Sequence, residues 1–404
     1  MSLEKRDLYR LPWSLNDNPI AWLEVTDICN LACEGCYRST LTQHKPLEEI
    51  KEELNFFKRW RNPDNVSIAG GEPLLHPEIC EIIAEIDQLG MKPIILTNAT
   101  KLTPELLKEM KQAGLAGFTI HIDSHQSRPG WEGKTEAAHN ELRQLYAEMI
   151  AKIGGLYTIF NATVFPSTYE SIPDIVRWGL KNFEIVQGLV FITYRTAATD
   201  VYEGLDAHSQ QVDMSQLSYI KDRFEEDFVT GPEVYQKIKS VCPDYEAAGY
   251  LGGTQRHDSY KWMVSALVGS RHGVYGSVGS RGMEIAQTFH HLFKGTYLAY
   301  LSSTRIGPLT FLLWPFDPHL RRAFGRRLKE LVLRPWRLFS SVRLQSIGII
   351  QAPDIQETGM ADMCDSCPDM TVYDGKLINS CRMDEYRLFG GLVTVVDKQT
   401  MADQ

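Results

Sequence analysis

From Ala21 to about Arg195, short apolar runs alternate with longer stretches in which apolar residues recur every three or four positions. The runs at 22–25, 66–69, 93–97, 117–122, 157–164 and 185–193 have the length and the β-branched content of strands. Between them, Leu47–Trp60 carries apolar residues at helical spacing among Glu and Lys, and Pro63 stops it. A second helix, 77–89, begins on a proline suited to a first turn and ends at Gly90. Thr103-Pro104 opens a third, which stops at Gly114. This alternation predicts an α/β fold with a mostly parallel sheet, and six strands suit a partial (β/α)6 TIM-like barrel over 21–195. Polar residues at the strand ends then face the mouth: Thr97 and Asn98, His121, Asp123, Ser124 and His125, and Asn161 with Thr163. Ordinary turn chemistry explains the same residues as well, and each histidine can be purely structural. The loop 127–133 puts Arg128 and Trp131 on a Pro/Gly turn, either to meet a substrate or as a rigid surface loop.

The flanks read differently. Residues 1–20 are polar, hold Pro12 and Pro19, and are expected on the surface. Residues 196–345 form a mixed, mainly helical insertion, with helices expected at 214–228 and 232–241 and a glycine-rich stretch around 252–282 that matches no phosphate loop. Within it, 301–344 holds nine basic residues against Asp317 and Glu330, a local charge of +7 in a chain of net −9, interleaved with residues such as Trp314, Phe316, Leu328, Trp336 and Phe339. Basic residues beside Trp, Phe and Leu on an amphipathic helix suit an interfacial membrane or lipid contact. An anionic small substrate, an acidic partner, or a helix packed on the barrel with its arginines in water are the other readings. The overall negative charge argues against general nucleic-acid binding. No apolar run approaches the roughly 20 residues of a membrane span, and the N-terminus has no apolar signal core, so the expected location is the cytoplasm, with a peripheral place at the membrane surface open to the basic segment.

The eight cysteines decide which chemistry to look for. Cys29, Cys33 and Cys36 lie within eight residues, on the loop after the first strand, and can converge on one soft metal centre. Three is odd for disulfides, and zinc usually takes a fourth ligand at short spacing, so an iron-sulfur cluster with one open iron fits better. Cys364, Cys367 and Cys381 (346–404) form a second set, with a hairpin over 371–378 and an Asp374-Gly375 turn expected to fold Cys381 back. A second iron-sulfur cluster or a zinc knuckle suits them, and Cys242 is available as a fourth ligand. Cys80 reads as a core residue of the second helix. After the second strand come Gly70-Gly71-Glu72-Pro73, whose glycines permit close approach and whose carboxylate can hold an ammonium group.

A Cys-x3-Cys-x2-Cys loop followed by one helix, a strand and Gly-Gly-Glu-Pro resembles the radical S-adenosylmethionine (SAM) superfamily. The resemblance implies that Cys29, Cys33 and Cys36 hold a 4Fe-4S cluster, that Gly70, Gly71, Glu72 and Pro73 meet the methionyl amine, and that Asn98, Asp123 and Asn161 contact SAM. It also implies backbone contacts near adenine from Gly35 and Tyr37. Here the sequence departs from the family pattern, with Gly35 where an aromatic usually precedes the third cysteine. Gly188, in the sixth strand, either admits the adenine or marks a bulge. The C-terminal set is similar to the auxiliary-cluster modules called twitch and SPASM. Its spacing is similar to that of the GTP cyclase of molybdenum-cofactor biosynthesis, but the insertion and the residues after Gly390-Gly391 argue against that assignment. The family implies reductive cleavage of SAM to methionine and a 5′-deoxyadenosyl radical, with flavodoxin or ferredoxin as electron donor. The basic aromatic segment favours a lipid or other amphiphilic anion as substrate. A peptide-modifying enzyme is the alternative, and a non-catalytic iron-sulfur electron carrier or zinc protein is the second.

Overall fold

Seven parallel strands dominate the computed structural model, which describes residues 3–38, 42–194, 204–207, 210–213, 229–256, 258–300, 307–355 and 360–396. Strands β2 (Ile20–Thr26), β3 (Asn65–Gly70), β4 (Lys92–Thr97), β5 (Gly117–His121), β6 (Tyr157–Val164) and β7 (Gly188–Thr193) each pair in parallel with the next. The short strand Tyr9–Arg10 at the far edge is β1. These are the six barrel strands expected from the sequence, and the architecture is α/β. Leu23, Val25, Ile68, Ile95, Phe118, Ile120 and Phe191 are buried along them, which explains their near-continuous apolar runs. The helices α1 (Leu47–Trp60), α2 (Ile79–Gln88) and α3 (Pro104–Gln112) cover the sheet, α1 through Ile50, Leu54 and Phe57. Thr103 caps α3, its hydroxyl accepting from the Leu106 amide at 3.2 Å.

Beyond β7 the sheet continues. Arg343–Ile350 pairs in parallel with β7, Trp262–Ser270 follows antiparallel, then Gly249–Leu251, and finally β1. The expected boundary at 345 therefore falls within a strand of the main sheet. The insertion has the expected helix Gly231–Val241 and, in the basic segment, Pro318–Leu333; the glycine-rich stretch is not plain loop but adds the strands just named plus Gly273–Ser277, and an unexpected helix, Ser280–Lys294, follows. The helix expected at 214–228 lies outside the described residues. Residues 1–20 are not a plain surface segment: β1 is a sheet edge and Leu11 and Trp13 are buried. A two-residue strand is too short for alternation to reveal it.

Near the C-terminus, Met370–Tyr373 and Lys376–Asn379 form the expected hairpin, with Asp374 and Gly375 both at positive φ (+48° and +69°). The first of these strands packs beside β2. Helix Met383–Phe389 then reaches the cysteine loop through Arg387, which donates to Asp27 at 2.6 Å. Among the described residues no helix is long and apolar enough to cross a membrane.

Candidate metal centre and cofactor site

The cysteine loop begins where β2 ends, and the glycine strip is fastened to it by its backbone. The Gly71 amide donates to the Thr26 carbonyl at 2.7 Å and the Glu72 amide to the Ile28 carbonyl at 2.8 Å. A Cβ on Gly70 (φ +124°) would stand 2.3 Å from the Thr26 oxygen, and one on Gly71 2.2 Å from the Ile28 oxygen. Both glycines are thus required by the contact between the two motifs. The Glu72 side chain differs from expectation. It is fully buried and accepts from the Leu74 amide (3.0 Å), the Thr97 hydroxyl (2.5 Å) and the Asn98 amide (2.7 Å), with burial raising its pKa. Those donors turn the carboxylate into the protein, where it ties β3 to β4. The strip therefore offers an ammonium group its backbone and not this carboxylate. Pro73 starts the short turn Pro73–Leu75 below it.

Cys29, Cys33 and Cys36 are mutual electrostatic neighbours. Burial pushes the Cys33 thiol up to about 12, with Cys36, Asp123 and Cys29 adding to the shift. Burial also raises Cys29 and Cys36, the latter further through Cys29. Asn98 Nδ2 faces the Cys29 sulfur at 4.0 Å and donates to Asn30 at 2.9 Å. Arg128, buried on its Pro/Gly turn, acts on Cys33, Asp123 and Glu72, while its own pKa is lowered by burial. It lies toward the site and is not part of a rigid outer loop. Trp131 packs instead near His139, at 5.3 Å between ring centroids.

At the mouth, Asp123 is almost fully buried. It binds His121 Nε2 at 2.7 Å and accepts from the His125 and Thr163 amides at 2.9 and 3.2 Å. Burial opposes its ionisation, but these partners outweigh it and its pKa is lowered. The nearly buried Asn161 Oδ1 has no hydrogen-bond partner among the described residues. Three rings line up beside them: His125 stacks on Phe165 at 3.9 Å, and Phe165 meets Tyr194 at 4.6 Å. Tyr194 lies over Gly35, where a Cβ would stand 2.3 Å from the ring. An aromatic from the end of β7 thus covers the position where the loop itself has none. Tyr37 turns inward, its hydroxyl donating to Glu24 at 3.2 Å and its ring edge-on to Trp22. Gly188 is needed for packing, since a Cβ there would stand 2.3 Å from Ser346 Oγ.

The hairpin brings the second cysteine set together. Cys364 and Cys367 are buried and share a hydrogen bond that raises Cys364 and lowers Cys367, and Cys381 raises Cys364 further. Lys261, fully buried and 3.3 Å from Asp362, acts on Cys364, and Arg61 acts on Cys367. Cys242 is not with them: it packs in the main core with Val234, Ile238 and Tyr245. Cys80 is half-buried against that same core.

Residues 23–179 match the model of the radical SAM superfamily. Over this stretch the chain resembles that superfamily. It is 30% identical over 167 residues to an AdoMet-dependent heme synthase of Nitratidesulfovibrio vulgaris, covering 39% of this chain and 43% of that protein. It is 30% identical over 191 residues to a GTP 3′,8-cyclase of Aquifex aeolicus, covering 44% and 57%. The chain spans about half the length of the curated relatives it matches. Streptococcus suis SuiB bound to precursor peptide SuiA aligns at 18% identity with a TM-score of 0.40, covering 57% of this chain and 47% of that one.

A radical SAM domain implies a 4Fe-4S cluster and SAM, and the first cysteine set fits them. Its three thiols are clustered, Cys29 and Cys33 partly buried and Cys36 at the surface, and their raised pKa values favour the thiolate only beside a cation. The unpartnered Asn161 oxygen gives a polar ligand an acceptor near the mouth. Among the described residues no three His, Cys, Asp or Glu side chains converge as a single metal ion would require. A cluster binds each thiolate to a different iron and does not need that convergence. Two features around the cysteine loop escape sequence reasoning, because both join residues far apart in the chain. One is Tyr194 over Gly35. The other is a buried charge group in which Arg38 pairs with Asp27 and lies 3.8 Å from Asp384 and 3.6 Å from Glu24.

Proposed function

We propose that the chain is an enzyme that cleaves SAM reductively and abstracts hydrogen from a lipid or another amphiphilic anion. When bound, the reduced cluster supplies the electron that splits SAM into methionine and the 5′-deoxyadenosyl radical. Cys29, Cys33 and Cys36 hold that cluster, the backbone of Gly70 to Pro73 meets the methionyl amine, and Asn98, Asp123 and Asn161 orient SAM. Arg128 compensates negative charge beside Cys33. Helix Met383–Phe389 is tied to the loop by Asp27, Asp384 and Arg387 and helps to exclude water. The observation that carries the reading is the cysteine loop fastened to the glycine strip at the barrel mouth.

Cys364, Cys367 and Cys381 are proposed to hold a second iron-sulfur cluster in a twitch- or SPASM-like module, which anchors substrate or takes an electron after abstraction. The three clustered thiols also support a peptide-modifying enzyme as second reading. Anaerobic incubation with SAM and dithionite, with phospholipid or with a peptide mixture added, separates the two. The lipid reading expects faster 5′-deoxyadenosine release and a mass change in the lipid. Stimulation by peptide alone would replace it with the second reading.

A further inference from the structure

Helix Pro318–Leu333 has one face committed to the fold. Leu320 and Ala323 pack against Tyr275 and Val278, and Arg327, also buried, donates to Tyr275 Oη (2.8 Å), Glu330 (2.7 Å) and the carbonyls of Arg337 (2.7 Å) and Ser340 (3.1 Å). Arg326 is held by Asp244 at 2.5 Å. Asp317 secures the start, its carboxylate accepting from the His319 and Leu320 amides and from Gly282 at the start of helix Ser280–Lys294. These residues belong to the scaffold, so Arg326 and Arg327, two of the nine basic residues of 301–344, are committed to the fold.

Turned away from that packed face is a different surface. Leu328 and Val332 follow at four-residue spacing and the next turn adds Trp336 and Phe339, while half-buried Phe324, between Trp314 (5.5 Å, stacked) and Phe311 (5.5 Å, edge-on), joins this surface to the scaffold. Val332 is 75% and Phe339 90% exposed. Arg321, Arg322 and Lys329 are exposed on the same helix. So many protruding apolar side chains between residues 314 and 339 need an occupant.

We propose that this face docks on an anionic lipid surface. Two observations select that occupant. The segment 301–344 carries +7 while the remainder of the chain carries −16, so negative lipid headgroups attract this side and repel the others. The apolar side chains also protrude instead of lining a groove, and a bilayer interface accepts projecting Trp, Phe and Leu beside basic residues without matching pockets. This inference deepens the amphiphilic-substrate reading and rests on it for its purpose. The test below needs no turnover, so docking and SAM cleavage can fail separately.

The test is flotation of the full chain with phosphatidylcholine vesicles, with and without one part in about three of phosphatidylglycerol, at low and high salt. The wild type is expected to float with the anionic vesicles and to be released by salt. The triple variant R321A/R322A/K329A should bind roughly 100-fold more weakly, at about five-fold per charge. L328E/V332E and W336A/F339A should each lose binding at least about ten-fold. Their thermal midpoints should stay close to the wild type, because these side chains are exposed and the bonds Arg321 and Arg322 make, to the Pro315 carbonyl and to His319, lie at the surface. Absence of flotation, equal flotation on phosphatidylcholine alone, or wild-type binding by all three variants would overturn the proposal. So would a dimer in sedimentation velocity that the variants dissociate while wild type ignores vesicles, since the occupant is then a second copy.

Discussion

Arg61→Met should loosen the second cysteine set while sparing the first. Arg61, fully buried at the end of α1, donates Nε to the Ile20 carbonyl (2.7 Å), Nη1 to Leu15 (3.2 Å), and Nη2 to Cys367 (2.7 Å) and Pro368 (2.8 Å). Burial pushes its pKa down to about 10, against the pull of Cys367 and Asp369, so it stays charged at neutral pH. Three of the four bonds are buried. At about 1–3 kcal/mol for each stranded acceptor, and with partial relaxation, the loss is roughly 3–5 kcal/mol. That is a large share of the roughly 5–15 kcal/mol of a typical domain, yet compatible with folding. The assay is urea unfolding of the metal-free chain, together with native-state thiol labelling. Cys364 and Cys367 should label at least ten-fold faster, with Cys29, Cys33 and Cys36 unchanged, and Arg61→Lys should recover less than half the stability because one ammonium cannot reach all four carbonyls. A variant within about 1 kcal/mol of wild type, or one whose two cysteine sets label faster together, would refute the role assigned to Arg61.

Gly71→Ala must drive the strip off the Ile28 carbonyl, so SAM binding measured by equilibrium dialysis should weaken at least ten-fold; unchanged binding would show that the backbone contact is dispensable. Tyr194→Ala should uncover Gly35 and weaken SAM retention, whereas Tyr194→Phe should not, and equal loss in both would assign the effect to the hydroxyl. Burial pushes Glu330 up, but hydrogen bonds from Tyr275, Arg337 and Arg327 outweigh it and hold its pKa at about 2 instead of 4.5. Because the folded value lies below the unfolded one, its stabilisation is complete above about pH 4.5 and is lost as pH falls toward 2. Melts of metal-free Glu330→Gln should therefore be lower at neutral pH and flatter across that window; an unaltered acid slope would contradict the pairing.

What could be read from the chain was whatever depends on neighbours in sequence. Strand runs such as Tyr157–Val164, the Leu47–Trp60 helix and the Asp374-Gly375 turn are encoded locally, and the structure has them. So is the spacing within each of the two cysteine sets, the second across the hairpin that the Asp374-Gly375 turn closes. Arg343–Ile350 lay across an assumed boundary, because its pairing with β7 joins residues 158 positions apart. The role of Glu72 was misjudged for a similar reason. A carboxylate beside two glycines looks free to bind a ligand until the Thr97 and Asn98 donors arrive from the next strand. Arg327 looked like a surface charge because periodicity cannot show that a guanidinium will meet four oxygens inside the fold.

Cys29, Cys33 and Cys36 are proposed to support reductive cleavage of SAM. The direct measurement is 5′-deoxyadenosine by mass spectrometry after anaerobic iron-sulfur reconstitution and incubation with SAM and dithionite. The wild type should form 5′-deoxyadenosine and methionine in equal amounts, and Cys36→Ala none. A fully iron-loaded wild type that forms none, or a Cys36→Ala chain that forms as much, would contradict it.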